Sequence, residues 1–148
     1  MINETPDEMI QYATDVCRKY NQIRILAEEA EAAWRLNLEM IAESKYPTEK
    51  EMYEQQAEEE LAKYTAAREW MKLVMNATFR IKEFRAQEVV RQHCLNKMPL
   101  KSVAFENGKC MGKTAVFYYK KIGMQQFSTA ISEEKERLND LEKKMHLF

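Results

Sequence analysis

Nine residues between positions 97 and 125 carry groups suited to a polyanion: Lys97, Lys101, Lys109, Lys113, Lys120, Lys121, Thr114, Tyr118 and Gln125. Ammonium groups pair with phosphate oxygens, while hydroxyl and amide groups reach both phosphates and base edges. The thiols and imidazoles suggest less. The three cysteines are Cys17, Cys94 and Cys110, with no CxxC pair, so neither a disulfide framework nor a zinc finger is expected. His93 and Cys94 are adjacent, and neighbouring side chains on a helix diverge by about 100°, which suits a shared metal poorly. They read as ordinary buried thiols and a surface histidine, with no metal and no cofactor.

Enzymatic chemistry is disfavoured. The two histidines, His93 and His146, offer no Ser/His/Asp order, and no glycine-rich cradle for phosphates occurs. A di-iron bundle would need Glu-x-x-His, which is absent. The run Glu58-Glu59-Glu60 reads as a solvated face. The ten methionines and the two tryptophans, Trp34 and Trp70, read as core filling at helical spacing.

The lysine-bearing segment must be positioned by short helices. Val89, Val90, His93 and Leu95 continue a helix to about Lys97, and Met98-Pro99 breaks it. Pro99 opens a short helix from Leu100 to about Asn107, Asn107-Gly108 stops it, and Lys113 or Thr114 opens the next helix, through Phe127. On a wheel at about 100° per residue, Ala115, Val116, Tyr119, Gly123, Gln126 and Phe127 share one face. Thr114, Tyr118, Lys121 and Gln125 share the other, with Phe117 beside them. Three helices with a short middle one, a glycine turn, a basic balance and a small residue at Ala104 have the form of a helix-turn-helix.

The stretch Leu100-Lys101-Ser102-Val103-Ala104, followed by Lys113-Thr114-Ala115-Val116-Phe117-Tyr118-Tyr119-Lys120-Lys121, resembles phage late-transcription activators of the ArpU/RinA type. Those proteins are similar to sigma-factor region 4, with a terminal helix-turn-helix. The resemblance covers about 35 residues of the chain. It implies duplex DNA as ligand, with Lys113-Thr114-Ala115-Val116-Phe117-Tyr118 opening the recognition helix and basic residues closing it; RNA polymerase or a host protein is the further partner considered.

The whole chain must then be helical. Its 148 residues contain only three glycines and three prolines, which excludes turn-rich β folds, Rossmann folds and P-loops. Hydrophobic residues make up 45% and charged residues 32%, a mix that suits long amphipathic helices. No apolar run approaches the ~20 residues that span a bilayer, and no basic-then-apolar leader opens the chain. A cytoplasmic protein without a membrane partner is expected.

Thr5, Pro6, Asp7 and Glu8 form a helix start. A seam then runs through Met9, Ala13, Val16, Tyr20, Ile23, Ala27, Ala30, Trp34, Asn37 and Ile41. Tyr46-Pro47 ends that helix. Thr48 and Glu51 read as the capping box of a second, with apolar positions from Met52 through Leu61, Ala67 and Val74 to Phe84. The expected fold is all-α: a long antiparallel helical hairpin over 1–84, then a basic helix-turn-helix-like bundle with a C-terminal helix over 85–148. A homodimer through the seam would present two basic segments.

Charge is sorted along the chain although the net is −1. Residues 1–79 carry −7, residues 80–121 carry +7, and residues 122–148 carry −1. Such asymmetry suits a DNA-binding regulator of phage or mobile-element type. The alternatives are a phage-encoded inhibitor or adaptor that binds a protein through the long helices, and a plain helical cap whose lysines only solubilise it.

Overall fold

The computed structural model describes residues 6–104 and 112–146. It is 86% helical, and no strand occurs among the described residues. Helix α1 spans Asp7–Glu43 (37 residues) and α2 spans Pro47–Thr78 (32 residues), and the two pack together as a hairpin. A short α3, Phe84–Val89, runs directly into a π turn, Val90–Leu95. A 3-10 turn follows at Leu100–Ser102, then α4, Lys113–Glu133, and α5, Lys135–Lys144.

The hairpin forms because each helix carries a stripe of small and apolar residues. On α1, Ala13, Val16, Tyr20, Ile23, Ala27 and Ala30 are buried. On α2, Ala57, Ala66, Ala67, Trp70, Val74 and Ala77 are buried. The many alanines cost little side-chain entropy and let the backbones approach. The seam weakens beyond Ala30, since Trp34, Asn37 and Ile41 are only half-buried. Asn37 satisfies itself there by donating to the Ala33 carbonyl at 2.9 Å.

Helix starts and stops depart from the sequence expectation in three places. Pro47 is the first residue of α2, and the Tyr46 carbonyl accepts from the Lys50 N–H at 3.0 Å. Thr48 therefore lies inside the first turn and does not cap it, because proline is preorganised for the first helical position. Next, α2 stops at Thr78 instead of reaching Phe84. The amides of Phe79, Arg80 and Ile81 tighten onto the carbonyls of Asn76, Ala77 and Thr78, and buried Thr78 accepts from Arg91 Nε at 2.9 Å. Glu83 then caps α3, its carboxylate accepting from the Arg85 N–H at 3.4 Å. Third, the short helix expected from Leu100 to about Asn107 is a three-residue 3-10 turn that ends before Val103. The cap expected at Thr5 and the turn residues 108–111 lie outside the described residues.

The chain divides into two compact units. One joins Met1–Asn21 to Lys72–Glu136, and the other joins Gln22–Met71 to Arg137–Phe148. The first holds α3, the π turn and α4. In it α4 packs on α3 and touches both the π turn and the 3-10 turn. In the second, α5 buries Leu138 and Leu141, Met145 just after it is buried too, and Arg137 Nη2 meets Glu69 Oε1 on α2 at 3.3 Å.

Candidate functional site

Helix α4 is the element that presents chemistry, and its docking is set by small residues. A Cβ on Gly123 would lie 2.8 Å from Val90 Cγ2 and 2.9 Å from the Ala86 carbonyl oxygen. Only glycine allows that approach, because one of the two obstacles is backbone. Val116 meets Val89 and Val103 in a buried cluster flanked by Ala115 and Tyr119. Arg85 Nη1 donates to the Tyr119 hydroxyl at 3.3 Å, and the Lys82 N–H donates to Gln126 Oε1 at 2.7 Å.

With that face buried, the opposite face is fixed. Lys113, Thr114, Phe117, Tyr118 and Lys121 are exposed, and Tyr118 is 62% exposed. Gln125 is half-buried, its carbonyl accepting from Thr129 Oγ1 at 3.3 Å. No acidic side chain occurs from Lys113 to Ser132. Gly112 precedes the helix in an extended conformation, and its carbonyl accepts the Val116 N–H at 3.0 Å. The wheel thus placed Thr114, Tyr118 and Lys121 on one outward surface. Lys101 is exposed on the 3-10 turn, and Lys109 and Cys110 lie outside the described residues.

Two of the other lysines turn inward with their amines. Lys97 adopts a left-handed backbone, φ 60°, just after the π turn. Its Nζ donates to the Cys17 carbonyl at 3.1 Å and the Cys94 carbonyl at 3.2 Å. Lys120 Nζ lies 3.5 Å from His93 Nε2. His93 Nδ1 lies 2.8 Å from the Met98 carbonyl, which can only accept, so the ring hydrogen sits on Nδ1 and Nε2 faces the ammonium group. The sequence placed His93 on the surface. It is half-buried, within the π turn.

Cys17 and Cys94 are both buried and share a thiol hydrogen bond. Accepting it holds the Cys94 thiol below the ordinary range, with help from the nearby Lys120 and Lys97 charges and against burial. The same bond, together with burial, pushes Cys17 well above it. No group of three or more metal-ligating side chains occurs among the described residues.

Sequence reasoning missed Gln92. Its side chain accepts from the Ala104 N–H at 3.0 Å and donates to the Ala104 carbonyl at 3.2 Å, as a paired peptide would. This clamp holds Val103 and Ala104 out of helical geometry and seats Val103 in the core. A polar residue in a helical run carries no sequence mark of such a partner.

Fold and site together define an all-helical protein that presents one acid-free, lysine-bearing helix face. Comparison with protein-family models, with curated proteins and with solved structures finds no match.

Proposed function

We propose that the chain binds duplex DNA through the outward face of α4, as a transcription regulator of phage or mobile-element type. The observation that carries this reading is the exposed set Lys113, Thr114, Tyr118 and Lys121 on a helix without acidic side chains before Glu133. Lys113 at the helix start and Lys121 two turns on neutralise phosphates, and the hydroxyls between them reach further phosphates or base edges. Lys101 adds charge from the 3-10 turn. The resemblance to late-transcription activators supports the regulatory part of the reading, and RNA polymerase is the partner it implies.

The test is fluorescence anisotropy with labelled duplexes. Lys113→Ala with Lys121→Ala weakens binding to all sequences alike. Tyr118→Ala narrows the gap between preferred and random sequence more than it lowers total affinity. A second reading rests on Phe117 and Tyr118, which are 49% and 62% exposed: exposed aromatics suit a protein partner. No duplex binding even at low salt, with capture of a protein lost on Phe117→Ala, decides for that reading.

A further inference from the structure

We propose that the first unit also holds a binding site for a small amphipathic carboxylate, in a cavity lined by α1, the π turn and α4. It is an open cleft with a volume of about 670 Å³, within the ~300–1,000 Å³ typical of small-molecule sites. Its wall is largely apolar, with Ile10, Phe117 and Met124 contributing. All its charged side chains are cations: Arg18, Lys97, Lys120 and Lys121. No carboxylate lines it among the described residues, although Arg18 also pairs with Asp15 at 3.4 Å.

Two of these cations are held in place before any ligand arrives. Lys97 spends two N–H groups on the Cys17 and Cys94 carbonyls, and Lys120 spends one on His93. An ammonium group has three donors, so each keeps capacity for an anion. Fixed donors cost little entropy to engage. A neutral apolar molecule would fill the wall and leave the cations unanswered, and a simple inorganic anion would answer the cations and leave the wall wet. A carboxylate with an alkyl or aryl body does both. Charge-assisted hydrogen bonds of this kind strengthen binding by about tenfold or more.

Titration calorimetry of the full chain, without nucleic acid, tests this apart from the duplex-binding reading. The ligands are decanoate, decanol, decylammonium and acetate, all below their aggregation concentrations. The expected result is saturable one-to-one binding of decanoate, about tenfold or more tighter than decanol, with no saturation by decylammonium or acetate. Lys120→Met with Lys121→Met keeps the hydrocarbon and removes the charge. It narrows the preference for decanoate over decanol, with an unchanged circular dichroism spectrum, because Lys97 and Arg18 remain. Equal affinity for decanoate and decanol in the wild-type chain overturns the proposal, as does no saturable binding of decanoate. The wild-type series is decisive even if the double variant does not fold.

Discussion

The Cys17–Cys94 pair shows how one hydrogen bond splits two chemically identical groups. Cys94 accepts and is the more acidic thiol, while Cys17 donates and holds its proton. Alkylation by iodoacetamide, mapped by mass spectrometry across pH, should reach its plateau for Cys94 at a lower pH than for a cysteine in the urea-unfolded chain. Cys17 should resist. Linkage follows the same signs. The depressed Cys94 thiol stabilises the fold above the unfolded thiol range, and that stability is lost as pH falls through its folded value. The raised Cys17 thiol stabilises below the unfolded range, and that stability is lost as pH rises through its folded value. Gly123 is the other decisive residue. Gly123→Ala sets a methyl against the Ala86 carbonyl and should destabilise by about 1–3 kcal/mol in urea unfolding. Gly112→Ala, with open space around it, should cost less than ~1 kcal/mol. Equal effects would contradict the close approach of α4 to α3.

At the scale of elements, the long helices were legible because their apolar positions recur with helical period over many turns. The buried α1 residues from Ala13 to Ala30 lie on the seam read from the sequence. Ile23→Asp should therefore destabilise by about 3–5 kcal/mol, since it buries an unpaired charge and removes packing. Glu59→Ala, on the exposed face, should change stability by less than ~0.5 kcal/mol. Trp34→Asp should fall between them, because Trp34 is only half-buried. Legibility failed where side chains far apart in sequence set the backbone. Thr78 ends α2 beneath Arg91, and Gln92 clamps Ala104; neither partner is implied by local propensity. The π turn was equally invisible, because its residues read as ordinary helix and its widened register appears only in the bonds closing it. Gln92→Leu should cost about 1–3 kcal/mol by leaving both Ala104 peptide groups unpaired. It should also raise amide hydrogen exchange at Ala104. The outward face of α4 was readable from the wheel alone, because burial on the α3 side leaves one choice for the rest.

For the whole molecule, the sorting of charge carries the account. A chain with a net charge of −1 gathers +7 within residues 80–121. Exposed Lys101, Lys113 and Lys121 belong to that segment, and Lys97 and Lys120 direct their amines inward. Each lysine that neutralises a phosphate releases counterions and adds about 0.9 to the salt slope. The most direct test is anisotropy of a labelled random-sequence duplex titrated with the full chain across ~50–300 mM salt. The predicted log–log slope is about −3, reduced in size by about 2 in the Lys113→Glu, Lys121→Glu variant. No binding at ~50 mM salt, or a slope that the variant leaves unchanged, would contradict DNA binding through α4.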